Sequence, residues 1–188
     1  MLEVVYYVAS SLDGYIATPG GGLEWLLPFE GAEEDYGYSE FYGSVDAVLL
    51  GSRTYEQALT FGEWPYPAKP VWVFSRRVPQ AVGPDVTVTG HSPAQVTAEL
   101  RAAGMRRAWL VGGGELAASF RAAGLITDYI VSVIPVLLGG GIPLFANSGP
   151  QEGLRLLCTI PYPSGVVQLC YQPLGDAEQA LPADVHTV

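Results

Sequence analysis

Four short stretches carry residue types that could do chemistry. Val111-Gly112-Gly113-Gly114-Glu115 puts three residues without side chains between an apolar run and a helix start. Backbone N–H groups and a helix dipole can meet a pyrophosphate directly there. A tight turn alone would need one glycine, rarely three. Gly51-Ser52-Arg53-Thr54 follows a second apolar run and Ser75-Arg76 a third. Together they offer hydroxyls and guanidinium groups suited to a phosphate monoester, such as an adenosine 2′-phosphate. The fourth stretch, Trp25 to Glu30, ends in an acid. A carboxylic acid is a candidate proton donor. Asp13 and Asp35 are the other candidates. All three acids equally suit turn or helix-start positions that have no chemical role.

The elements around these stretches follow from apolar patterning. Glu3 to Ser10 reads as a buried strand ended by the Asp13-Gly14 turn. Thr18 to Gly22 reads as a glycine-rich loop, and Glu30 to Tyr42 as an amphipathic helix with an acidic face. Val45 to Leu50 is a continuous apolar run, a strand buried on both faces, and Thr54 with Gln57 makes a capping box for the next helix. Strands follow at Val71 to Ser75 and Val86 to Thr89. A helix opened by Ser92-Pro93 and Gln95 then runs to Gly104. Arg107 to Val111 is a strand, Glu115 to Ala123 a helix, and Ile126 to Ile134 a long strand closed by Pro135. Leu154 to Ile160 and Val166 to Tyr171 form an antiparallel hairpin. Strands alternating with helices predict an α/β fold, a mainly parallel central sheet with helices on both faces and a C-terminal antiparallel hairpin. Ligands of such sheets bind beyond the carboxyl ends of the strands, where the glycine and arginine turns fall.

The 188 residues suit one domain, read as 1–173 with a polar tail over 174–188. Nine basic against nineteen acidic residues give a net charge of −10, which disfavours nucleic acid and anionic membranes as partners. Apolar runs fall far short of the roughly 20 residues that span a bilayer. The N-terminal segment lacks a basic leader pattern, so the expected location is cytoplasmic. Cys158 and Cys170 could face each other across the hairpin, but a reducing cytosol predicts two thiols. His91 and His186 lie in different kinds of segment with no third ligand near, so no metal site is expected.

Gly112, Gly114 and Ala117 fit the spacing of a dinucleotide fingerprint, but the acid required about 20 residues on is replaced by Ile134-Pro135. The chain instead resembles the dihydrofolate reductase-like fold over about residues 2 to 172. Within it, the likeness is to the C-terminal reductase domain of the bifunctional riboflavin-biosynthesis deaminase/reductase. SLDGYIA (Ser11 to Ala17), LLGSRTYE (Leu49 to Glu56), VFSR (Val73 to Arg76), LVGGGELA (Leu110 to Ala117) and PVLLGGGIPLF (Pro135 to Phe145) carry it, in that order. The resemblance implies NADPH, with Ala9 and Ile16 contacting the nicotinamide through backbone atoms. It implies that Gly51, Ser52, Arg53 and Thr54 receive the pyrophosphate and ribose phosphate, with Ser75 and Arg76 at the adenosine end. Val111 and Gly112, Gly113, Gly114, Glu115 and Leu116 would cover the pyrophosphate from the other side. Trp25 to Glu30 resembles the segment lining the pterin pocket, with Glu30 at the acid position, where the resemblance implies a partly buried carboxyl that holds a substrate amine or supplies a proton.

Two departures shape the expected activity. Family members commonly have Arg where this chain has Ser52, with Arg53 one residue later. Riboflavin-pathway reductases usually have Glu at the Val111 position and basic residues near the first helix, where Glu30 to Glu40 holds five acids and no base. The expected activity is NADPH-dependent hydride transfer to a C=N or C=O bond of a small heterocyclic or carbonyl substrate. The alternatives are 5-amino-6-(5-phosphoribosylamino)uracil reductase and a non-catalytic nucleotide-binding protein. An apolar hairpin with a bare edge predicts a homodimer.

Overall fold

The computed structural model describes residues 1–31, 34–77, 83, 85–146 and 151–175. In chain order the strands are β1 (Glu3–Ser11), β2 (Tyr15–Ala17), β3 (Ala47–Gly51), β4 (Val71–Phe74), β5 (Val86–Thr89), β6 (Arg107–Gly112), β7 (Asp128–Ile134), β8 (Ile142–Pro143), β9 (Leu154–Pro161) and β10 (Val167–Pro173). The helices are α1 (Tyr38–Ser44), α2 (Ser52–Ala58), α3 (Pro93–Ala102) and α4 (Gly114–Ala122), with a 3-10 turn over Glu24–Phe29.

Eight strands form one sheet in the order β5-β4-β3-β6-β1-β7-β10-β9. The first six are parallel, and β10 and β9 add the antiparallel edge. Ala47 to Leu50 are all buried, as an unbroken apolar run in the middle of a covered sheet requires. Alternate residues of β1 supply two separate cores. Val4 and Tyr6 pack with Leu49, Leu110 and the apolar faces of α3 and α4 at Val96, Leu100, Ala117 and Phe120. Val5 packs on the opposite side with Val48, Leu50, Trp109, Phe41 of α1 and Tyr55 of α2. Each fully buried Leu or Phe contributes roughly 1.5–3 kcal/mol relative to leaving it in water.

Several local expectations are corrected. The helix expected over Glu30 to Tyr42 is confined to Tyr38–Ser44. Tyr36 and Gly37 before it are left-handed (φ 55 and 75), which no continuous helix allows, and Gly31 pairs with Glu34 in an isolated bridge. The helix after β3 starts at Ser52, with Gly51 as its N-cap and no side-chain cap. Thr54 does not cap it, because its hydroxyl is taken by a neighbouring turn. By contrast Ser92 and Gln95 do form the full capping box of α3. β2 and β8, too short to read from sequence, pair with each other. A Cβ at Gly141 would collide with the Ala17 carbonyl there.

Cys158 lies directly across from Cys170 in the hairpin register, and the two sulfurs are bonded, contrary to the expected pair of thiols. A shared rung brings side chains close enough whatever the compartment. Of the tail expected over 174–188, residues 176–188 lie outside the described residues. The Leu174 N–H bonds the Gly153 carbonyl at 2.8 Å. No helix among the described residues is long and apolar enough to cross a membrane.

Candidate active site

The glycine and arginine turns gather at the carboxyl ends of the adjacent strands β3, β4 and β6. A Cβ on Gly51 would sit 3.6 Å from the Gly112 carbonyl and 3.7 Å from the Gly113 nitrogen, so the two turns touch through backbone. The Thr54 hydroxyl accepts from the Gly113 N–H at 2.9 Å, fastening α2 to the turn that starts α4. Gly114 is glycine for a steric reason, since a Cβ would lie 2.8 Å from the Pro143 carbonyl. The first-turn N–H groups of α4 have no intrahelical acceptor and point to this surface. Arg53 reaches Glu115 at 4.0 Å, but both side chains are more than four-fifths exposed. Such a pair contributes little to stability and leaves the guanidinium accessible.

Ser75 is held by its own turn: its hydroxyl accepts from the Arg77 N–H at 3.1 Å, and its N–H bonds Thr89. Arg76 beside it is exposed. Val111 packs against the core on the Val5 side, and Leu116 against the core on the Val4 side. Ile16 is half-buried in β2.

A cleft of about 500 Å³ opens between β1, β7 and the 3-10 turn. Ala9 and Ser132 form part of its floor, Phe29, Tyr36 and Trp109 give it aromatic walls, and Glu30, Glu34 and Asp35 stand around it. Ala9 and Glu30, proposed for different roles from sequence, therefore share one cavity. Gln168 of β10 holds the far side together. Its amide nitrogen lies 3.2 Å from each of the Tyr7 hydroxyl, the Tyr36 carbonyl and the Ser132 hydroxyl. The Tyr7 hydroxyl itself donates to the Tyr36 carbonyl at 3.2 Å. Burial pushes the Tyr7 phenol up despite the opposing Gln168 bond, so it stays neutral and donates. Asp35 accepts from the Gly37 and Ser39 N–H groups at 2.9 and 3.1 Å, and hydrogen bonding to Ser39 first, then Gly37, holds its carboxyl below the ordinary range.

Asp13 is not in this cavity. Its carboxylate accepts from the Ser11 hydroxyl at 2.6 Å and from the Leu138 and Gly139 N–H groups at 3.0 and 2.7 Å. It clasps the loop after β1 to the segment after β7. Tyr7, Ser132 and Gln168 went unnoticed in the sequence, although a lone polar residue inside VVQLCY or IVSVI was the available signal.

This parallel sheet with its hairpin edge and its glycine turns at the strand ends is the dihydrofolate reductase-like fold. A dihydrofolate reductase of Enterococcus faecalis complexed with NADP(H) superposes with a TM-score of 0.66 at 18% identity, over 91% of this chain and 96% of that one. The chain belongs to the RibD C-terminal domain family, whose model matches residues 3–167. It is 39% identical to the Bacillus subtilis protein YwjB over 170 residues, 90% of this chain and 97% of that one. A protein of Shewanella sp. PV-4 assigned to riboflavin biosynthesis matches with a TM-score of 0.84 and 30% identity, covering 93% of this chain and all (100%) of its own. A bifunctional deaminase/reductase of Thermotoga maritima matches at 0.71 and 15% identity over 92% of this chain, which spans 57% of that longer protein.

Proposed function

We propose that the protein is an NADPH-dependent reductase that passes hydride to a C=N or C=O bond of a small heterocyclic or carbonyl compound. The observation that carries this reading is the position of the cleft beside Ala9 on β1, next in the sheet to the β6 strand that ends in the glycine turn. The backbone contact of Gly51 with Gly112 and Gly113 leaves a turn surface without side chains, which fits a diphosphate. Gly51 to Thr54 and Gly112 to Leu116 would hold that group, Ser75 and Arg76 the adenosine 2′-phosphate, and Ala9 and Ile16 the nicotinamide. NADPH supplies the hydride when bound. The protein contributes position: Thr54 fixes one turn on the other, and the Gln168 network fixes the substrate cleft. Glu30, exposed at the cleft mouth, supplies the balancing proton to nitrogen or oxygen, directly or through water. Asp13, spent on its clasp, has no part in the chemistry.

The same reading extends to assembly and place. β9 is an edge strand with Leu154, Leu156, Leu157 and Ile160 exposed, and a second copy of the chain would cover it. NADPH is a charged nucleotide that does not cross membranes unaided, so the protein belongs with the cytoplasmic pool.

The test is a fluorescence titration of the protein with NADPH and NADH, repeated with Arg76→Ala. Tight NADPH binding that the substitution weakens, with NADH weaker throughout, supports the reading. No binding of either nucleotide would falsify it.

A further inference from the structure

We propose that Cys158 and Cys170 form a thiol–disulfide exchange site whose state controls how firmly the Tyr36 turn is held at the cleft. As a control on substrate binding, the inference rests on the reading of the cleft as the substrate site. The two cysteines are the only ones in the chain. They share a rung between β9 and β10, with Cα atoms 5.0 Å apart, and both are half-buried. In a reducing cytosol, a disulfide within reach of small thiols is of the transient, redox-responsive kind. Strand side chains stand on the faces of a sheet, so a second copy paired along the β9 rim leaves the sulfurs open.

The pair is placed to act on the cleft. Gln168 and Cys170 lie two residues apart on one face of β10, opposite Ser132 and Ile130 of β7. Four hairpin residues between the cysteines meet the cleft or its turn. Gln168 donates to the Tyr36 carbonyl at 3.2 Å, and the Ser164 hydroxyl accepts from the Tyr36 hydroxyl at 3.2 Å. The Tyr162 ring meets the Tyr36 ring edge-on, with centroids 4.9 Å apart, and Val166 lines the cleft itself. The Cys158–Cys170 bond thus closes a covalent loop around all four contacts. Oxidised, that loop is tied at its base. Reduced, only the ladder of an edge strand holds it, and local opening releases the Tyr36 turn. In the oxidising step one cysteine thiolate attacks a low-molecular-weight disulfide such as glutathione disulfide, forming a mixed disulfide and releasing one thiol. The other cysteine then displaces the second thiol, so the pair passes two electrons and two protons to the two thiols released.

The experiment incubates the full chain with dithiothreitol or with glutathione disulfide and reads amide hydrogen exchange by mass spectrometry. The N–H groups of Tyr36, Gly37, Tyr38 and Ser39 are all hydrogen-bonded and so report on the turn. Reduction should speed their exchange at least about tenfold, while β3 and β4, across the sheet from the hairpin, keep their rates. Glutathione disulfide should take the count of free thiols from two to none and restore slow exchange. Cys158→Ser with Cys170→Ser should show the fast rate in both buffers, and the parent in its two states tests the inference without relying on that variant. Equal exchange of the turn in the two states, an equal acceleration in β3 and β4, or thiols that survive millimolar glutathione disulfide overturns the inference. NADPH is titrated in parallel. Its failure to bind, with the redox response intact, defeats the reductase reading alone, whereas NADPH binding with an unresponsive turn defeats this inference alone.

Discussion

The side-chain amide of Gln168 donates to the main-chain carbonyl of Tyr36 at 3.2 Å, joining the hairpin strand β10 to the turn that carries Glu34 and Asp35. That turn belongs to no helix or strand, so its shape depends on such bonds from outside. The cleft is therefore built as much by the C-terminal hairpin as by the segment that lines it.

Replacing Gln168 with Leu should loosen this arrangement. Tyr36 and Ser132 would lose a partly or fully buried partner, at a cost of about 1–3 kcal/mol. A urea titration reads the loss as a lower midpoint with unchanged slope. A midpoint equal to that of the parent would mean that the turn stands without Gln168.

Thr54→Val removes the acceptor of the Gly113 N–H while keeping the shape of the side chain. Stability should fall by about 1 kcal/mol, and NADPH affinity should drop by about an order of magnitude as the two turns part. Thr54→Ser should restore both. Isothermal titration distinguishes these variants, and equal affinity in all three would remove Thr54 from the cofactor site.

Acid should unfold the protein through its low carboxyls. Asp13 is held down first by Ser11, Asp35 by Ser39 and Asp46 by the Arg106 backbone. A carboxyl lowered in the folded state stabilises it above the unfolded value near 3.9, and that stability is lost as pH falls through the folded value. Stability should thus decline only below about pH 4–5, and Asp46→Asn should flatten part of the decline. Melting temperature against pH is the measurement, and a decline that starts near neutrality would contradict it.

Reducing the Cys158–Cys170 bond frees a short loop whose ends are 12 positions apart in sequence. The chain-entropy estimate for such a loop is about 3 kcal/mol, which at about 2–4 °C per kcal/mol lowers the melting temperature by several degrees. Cys158→Ser should melt like the reduced protein and be indifferent to dithiothreitol. An identical melt with and without reductant would show that the hairpin needs no bond.

Leu156→Lys places a charge on the exposed edge strand, where the parent leucine is 52% exposed. Light scattering behind a sizing column should find a dimer for the parent and a monomer for the variant. A parent that elutes as a monomer at high concentration would end the proposal of an edge-to-edge pair.

The parallel half of the sheet was legible because β3 and β6 are buried on both faces and so carry unbroken apolar runs. The α3 start was legible because Ser92 and Gln95 satisfy each other within four residues. The α1 boundary was hidden by Tyr36, which takes a left-handed conformation that its side chain does not advertise. Thr54 was misread because its hydroxyl bonds a residue 59 positions away rather than its own helix. The cleft was only half legible. Glu30 stands close in sequence to Phe29 and Tyr36, whereas Tyr7 and Gln168 meet across 161 positions and announce nothing until the sheet closes.

The place of β1 between β6 and β7 also sets how the protein must be made. Val4 pairs with Ala108 on one side, and Tyr6 with Tyr129 on the other. A ribosome adding about 5–20 residues per second releases the first strand on the order of 5–20 s before its partner exists. Meanwhile β3, β4 and β5 can already zip together, leaving β1 with its run Val4 to Ala9 without a neighbour. The middle of the sheet is filled only after the β3–β4–β5 flank is complete, and the β10–β9 edge follows it. Until the middle is filled, the growing polypeptide carries an unpaired apolar strand, the kind of surface that is prone to aggregate.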